Sequence, residues 1–203
     1  MISNNRLRST VRTCLKSFRL PAFILAGLFV GVFLFEAGVR TPAQAGGKTD
    51  SQPAQAGPAY SLVSVSLRQP APALSLTDID GKKVELSHYR GKVILLDFWA
   101  VDCGGCVIEI PWYVEFDKKY HDKGLRLVGI DMYKESPAYI RPYMQKSHMQ
   151  YPVAVGNDDI RGRFQASELP KTMLIDREGR VAVSHVGLVD KTKFEHDIQE
   201  LLR

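Results

Sequence analysis

An α/β domain, with a mixed central sheet covered by helices on both faces, is the fold class that the sequence predicts. Three observations carry it. Apolar runs of strand length alternate with longer stretches of helical period. One run, Val93 to Trp99, is almost continuously apolar, as a strand buried on both faces is. Two pairs of strand-like runs are joined by short turns rich in Asp and Gly, the mark of antiparallel hairpins.

The elements follow in order. Leu74-Ser75-Leu76 and Val84-Glu85-Leu86 flank Asp80-Gly81 and predict a first hairpin. The buried strand Val93 to Trp99 leads into a helix from about Cys103 to Tyr120, interrupted by Pro111. Leu125 to Ile130 is the next strand, Pro137 to His148 a helix containing Pro142, and Tyr151 to Val155 a short strand. Thr172 to Ile175 and Val181 to Val186 flank Asp176-Arg177-Glu178-Gly179, a second hairpin. Lys191 to Leu202 closes the chain as a helix with Phe194, Ile198, Leu201 and Leu202 on one stripe.

All of this lies within residues 60–203, room for one ordinary domain. The preceding residues differ in kind. Residues 1–19 are basic, and residues 20–39 contain an uncharged run from Leu20 to Phe35. A basic flank before an apolar run is the pattern of a segment held N-terminus-in across a membrane. The run falls between a signal-peptide core and a spanning helix in length. Its long basic flank favours an uncleaved anchor, although Ala43-Gln44-Ala45 also fits a small-x-small cleavage site. Residues 40–59 read as a flexible linker, with no apolar side chain other than Ala and Pro from Thr41 to Ala59 and with Pro-Ala-Gln-Ala-Gly twice.

The net charge of +5 on 203 residues is not a polyanion signal. Six bases and one acid fall within residues 1–40, so the excess sits there and the remainder is balanced. Nucleic acid is excluded as the expected partner.

The chemistry is concentrated in Trp99-Ala100-Val101-Asp102-Cys103-Gly104-Gly105-Cys106. Two cysteines three apart, between a buried strand and a helix, place Cys103 at the helix N-terminus. There the free N–H groups and the helix dipole favour thiolate. Cys106, one turn on, is expected to be more buried, less reactive and placed to resolve a mixed disulfide at Cys103. A structural disulfide and half a zinc site are the competing readings. No second Cys pair exists to complete a zinc site: Cys14 precedes the apolar run, and nothing in the spacing of His88 and His121 supports a ligand role. No cofactor and no resident metal are expected. A copper-binding thiolate chaperone is the alternative from another function class.

These residues resemble a known family. Leu96-Asp97-Phe98-Trp99-Ala100 before the cysteines is similar to the strand-to-active-site junction of thioredoxins. Glu109-Ile110-Pro111 resembles the membrane-tethered, thioredoxin-like reductases of the TlpA/ResA/CcmG type, and Leu169-Pro170-Lys171-Thr172 their cis-proline loop. The resemblance spans roughly residues 67–203. It implies a thioredoxin-like fold with an N-terminal β-hairpin extension, and a thiol-disulfide oxidoreductase acting outside the cytoplasmic membrane of a bacterium. Its partners would be protein thiols and disulfides, for example of apocytochrome c or copper-site proteins, and a membrane thiol electron donor. Cys103 would be the nucleophile and Cys106 the resolving thiol, and the two would form a redox disulfide. Pro170, Leu169 and Trp99 would meet the substrate. Asp97 and Glu109 would move protons. A peroxiredoxin-like peroxidase is less compatible, because Ala100 stands three before Cys103 and no proline lies between Gly91 and Cys103.

Two departures bear on redox direction. Asp102 precedes the first cysteine where such proteins usually carry a large residue, and Gly104-Gly105 replaces X-Pro between the cysteines. Charge beside the thiolate disfavours it, and the two glycines are expected to loosen the turn. A less stabilised thiolate argues for the reducing side.

Overall fold

The computed structural model describes residues 60–203. The expectations for a basic segment, a membrane anchor and a linker fall on residues outside those described. Among the described residues no helix is long and apolar enough to cross a membrane.

The first hairpin pairs β1 (Ser75–Thr77) with β2 (Lys83–Glu85), antiparallel about Gly81, whose φ of +81° the turn requires. The main sheet has five strands in the order β5-β4-β3-β6-β7. In it β3 (Val93–Trp99), β4 (Leu125–Asp131) and β5 (Val153–Val155) run parallel, β6 (Lys171–Ile175) pairs antiparallel with β3, and β7 (Val181–Val186) pairs antiparallel with β6. Among the described residues four α-helices accompany them: α1 (Gly104–Tyr120), α2 (Pro137–Lys146), α3 (Asp158–Arg163) and α4 (Lys191–Leu202).

Strand β3 is central, and all seven of its residues are buried, which explains its apolar run. Its side chains alternate between two layers. Val93, Leu95 and Trp99 pack with Ile110, Tyr113 and Phe116 of α1 and with Phe194 and Ile198 of α4. Ile94, Leu96 and Phe98 pack on the other face against Leu74 and Val84 of the hairpin region and Ile160 of α3. Burying a side chain of this size contributes about 1.5–3 kcal/mol, so the strand anchors both layers. Asp97 is the one polar residue in β3, and its place in the alternation puts it in the α1 layer.

Two details differ from expectation. Helix α1 continues through Pro111. The carbonyl left without its N–H belongs to Val107, an exposed residue whose backbone water can serve. Helix α3 lies outside the elements that the sequence predicts. It is only six residues long, too short to show an apolar period; its sequence marks are the cap Asn157, whose side chain accepts the Ile160 N–H at 2.9 Å, and the acids Asp158 and Asp159 in its first turn with Arg161 and Arg163 in its last.

Candidate active site

Strand β3 ends at Trp99, the chain turns through Ala100 to Asp102, and α1 begins at Gly104 with Cys103 as its N-cap. The Cys103 Sγ accepts the Cys106 backbone N–H at 3.3 Å. It therefore takes one of the N–H groups that a helix start leaves free. The two cysteines form a disulfide, with Cα atoms 5.3 Å apart. Cys103 retains 7% exposure and Cys106 only 1%, so the first sulfur is the accessible one.

A second segment faces this turn. The Leu169–Pro170 peptide is cis. The Pro170 ring lies so close to α1 that a Cβ on Gly105 would be 2.8 Å from Pro170 Cδ and 3.8 Å from Leu188 Cδ2. Gly104 and Gly105 both lack positive φ. The expectation that they loosen the turn is thus revised: Gly105 is where the proline loop approaches the helix. The Gly187 N–H donates to the Pro170 carbonyl at 2.8 Å, with Gly187 at φ +91°. Leu169 is half-buried beside the proline.

The two acids are both interior. Glu109, one turn after Cys106, is 0% exposed; its Oε1 accepts the Val189 N–H at 2.7 Å and its Oε2 has no partner. Burial raises its pKa to about 7, against the lowering influence of the Val189 N–H and the nearby Tyr113 hydroxyl. Asp97 is 1% exposed and neither of its oxygens has a partner. Burial, and then the charge of Glu109, push its pKa well above the usual carboxylate range.

Trp99 corrects an expectation. It is fully buried, its ring lies 5.4 Å from that of Tyr143, and its indole Nε1 sits against Gly129. It packs the floor beneath the turn and presents no surface to a substrate. Asp102, by contrast, is exposed, with the Tyr139 hydroxyl donating to its Oδ2 at 3.4 Å.

Three further residues adjoin the site. The Glu135 carboxylate accepts the Val101 N–H at 3.3 Å and steadies the turn; nothing in its spacing from the cysteines announces this. Tyr113 and Thr172, both fully buried, join hydroxyls at 2.8 Å. Tyr113 stands four residues after Glu109, so helical spacing places the two on one face. Among the described residues no cluster of three or more His, Cys, Asp or Glu is arranged to hold a metal ion.

The arrangement is a redox-active pair with one accessible sulfur, a buried cis proline packed against the helix start and two buried acids, a site suited to disulfide exchange. Comparison with known proteins agrees with this chemistry. Residues 67–184 match the AhpC/TSA family. The thiol-disulfide oxidoreductase ResA of Bacillus cereus is 31% identical over 132 residues, covering 64% of this chain and 76% of that one. ResA of Bacillus subtilis is 30% identical over 141 residues, covering 69% and 78%. Among solved structures, a thiol:disulfide interchange protein of the thioredoxin family from Chlorobium tepidum superimposes with a TM-score of 0.62 at 27% identity, covering 67% of this chain and 97% of that one. The chain belongs to the AhpC/TSA family, with a thioredoxin-like fold, and is a protein thiol-disulfide oxidoreductase akin to ResA.

Proposed function

We propose that this chain reduces disulfides of exported proteins while tethered by its N-terminal segment to the outer side of a bacterial cytoplasmic membrane. In this reading the Cys103 thiolate attacks a substrate disulfide and Cys106 resolves the mixed disulfide. Pro170 and Leu169 offer the extended backbone on which substrate docks. Asp97 and Glu109 exchange protons with the thiols. Apocytochrome c and copper-site proteins, whose cysteines must be kept reduced, are the substrate class, and a membrane thiol carrier supplies electrons. The basic-then-apolar run of residues 1–39 supports the tether. Cleavage after Ala45 would release the domain on the same side.

The observation that carries the reading is the position of Cys103. Its sulfur caps α1 and is the more exposed of the pair, while Asp102 beside it disfavours the thiolate and so weakens oxidising power. The test is the reduction potential of residues 60–203, equilibrated in glutathione and dithiothreitol buffers. A value of about −270 mV or lower supports a reductase. A value near about −120 mV would make the protein an oxidant of thiols and overturn the direction.

A further inference from the structure

The two buried acids sit on different elements, Asp97 on β3 and Glu109 on α1, and what lies between them is polar. Asp97 is the direct antiparallel partner of Thr172 on β6. Side chains so paired share a face, with Cβ atoms about 4.5–5.5 Å apart. The Thr172 hydroxyl is 2.8 Å from that of Tyr113, and both residues are 0% exposed. Tyr113 stands one helical turn after Glu109, close enough for its hydroxyl to lower the Glu109 pKa without closing a hydrogen bond to it. Each acid keeps at least one oxygen unpaired: both on Asp97, and Oε2 on Glu109. A buried hydroxyl pair flanked by two carboxyl groups with free oxygens is a costly arrangement for packing alone.

We propose that the Tyr113–Thr172 hydroxyl pair carries a proton from Asp97 to Glu109 during the resolving step, making both residues positioning elements of the exchange reaction. The inference rests on the exchange roles given above to the two cysteines and two acids. In that step the Cys106 thiol gives its proton to the Asp97 carboxylate. The Cys106 thiolate attacks Cys103 Sγ, the Cys103–Cys106 bond forms, and the bond from Cys103 to substrate sulfur breaks. Substrate leaves as a thiolate, having gained in the full cycle the two electrons that the protein dithiol loses. Asp97 then passes its proton to the Thr172 oxygen, Thr172 passes its own to the Tyr113 oxygen, and Tyr113 passes its own to Glu109. Asp97 is ionised again, Glu109 is neutral, and both hydroxyls are intact. The other titratable groups facing the pathway are Tyr143 from α2 and Tyr151 ahead of β5 toward Asp97, Tyr60 toward Glu109, and the buried His185 on β7, the direct antiparallel partner of Thr172, whose Nε2 lies 3.1 Å from the Leu188 carbonyl oxygen. Burial raises the pKa of all three tyrosines, so none of them is charged near neutrality.

The test is stopped-flow exchange of the reduced full chain in detergent with a fluorescent peptide disulfide, following mixed-disulfide formation and then release across pH 5–9. For Tyr113→Phe and Thr172→Val, release slows by about tenfold or more, as loss of positioned proton transfer does, and its inflection near neutrality disappears. The first phase stays within about twofold and serves as the control for folding. Thr172→Ser restores the release rate and profile, and Glu109→Gln adds little in the Tyr113→Phe background because both act on one path. A Tyr113→Phe chain with wild-type release rate and pH profile overturns the proposal, as does Thr172→Ser failing like Thr172→Val. If the wild-type chain forms no mixed disulfide at all, the exchange reading falls first, and this inference with it.

Discussion

Gly105 and Pro170 share a space that no side chain at position 105 could occupy without displacing the proline ring, since its Cβ would sit 2.8 Å from Cδ and 3.3 Å from Cγ. Gly104, one residue earlier in the same helical turn, has nothing within 4 Å of the same construction. The pair makes a controlled comparison. Gly105→Ala should cost about 1–3 kcal/mol by overpacking. It should also slow exchange by about tenfold or more, because a displacement of order 1 Å at a reacting site costs up to about 100-fold. Gly104→Ala should be neutral, or stabilising by up to about 1 kcal/mol, as helix propensity dictates. Urea denaturation and turnover with a peptide disulfide decide the matter. Equal effects at the two positions would mean that the contact with Pro170 is unimportant.

Glu109 makes the stability of the oxidised protein depend on pH. Its pKa is raised from 4.5 to about 7 on folding, chiefly by burial. Below about pH 4.5 both folded and unfolded chains hold the proton, and the stability it confers is complete. Between about 4.5 and 7 the unfolded chain releases the proton while the folded chain retains it, so stability falls as pH rises. The loss is on the order of 3 kcal/mol by about pH 7, and Asp97, raised in the same sense, adds to it. Glu109→Gln should flatten much of this slope. Denaturation midpoints of the oxidised chain at pH 5 and pH 8 test it, and a wild-type protein that gains stability over that range would refute the assignment.

How much of this was readable from sequence depended on whether local pattern or distant contact sets the feature. The β3 run, the Gly81 turn and the α4 stripe are local, and they appear where the pattern placed them. The cysteine pair at a helix start was equally legible, because capping is a short-range effect. The placement of the Trp99 ring is not legible in the sequence because it depends on Gly129 and Tyr143, brought in from β4 and α2. Glu135 and Thr172 reach the site only through sheet register and loop return, which composition does not encode. Sequence alone makes Gly105 a point of softness because glycine is permissive, whereas the fold uses its lack of a Cβ for close approach.

Asp102 should tune the redox pair modestly. It is exposed and adjoins Cys103, so its charge opposes the thiolate through partly screened solvent. Asp102→Asn should lower the Cys103 pKa and stabilise the reduced form, moving the potential in the less reducing direction. An exposed charge pair is worth about 0.2–1 kcal/mol, which for two electrons corresponds to roughly 5–20 mV. The shift should shrink in 1 M salt. Redox titration at low and high ionic strength checks both parts, and a shift toward more negative potential would reverse the sign argued here.

Asp176, at the end of β6, holds the start of the domain against the last hairpin. Its carboxylate accepts from Arg68 at 3.1 Å, from Arg180 Nε at 3.0 Å and from the backbone N–H groups of Glu178 and Arg180 at 3.1 and 2.8 Å. The Arg68 and Asp176 side chains are 8% and 4% exposed, so the pair is buried. Arg68 Nε also donates to the Val63 carbonyl at 2.9 Å, in a segment that covers the edge of β7 through Val63 N–H to the Ala182 carbonyl and Val181 N–H to the Gln69 carbonyl. Removing one partner of a buried ion pair costs about 3–5 kcal/mol because the other charge is left unpaired. Asp176→Ala should lose that much, and Asp176→Asn less, since an amide oxygen still accepts the backbone N–H groups of the turn. The loss should begin at the edge: amides of Val63 and Val181 should exchange with solvent sooner, while those of Leu95 and Leu96 in β3 wait for global unfolding. A cost below about 1 kcal/mol with edge protection unchanged would show that the segment holds to β7 without this ion pair.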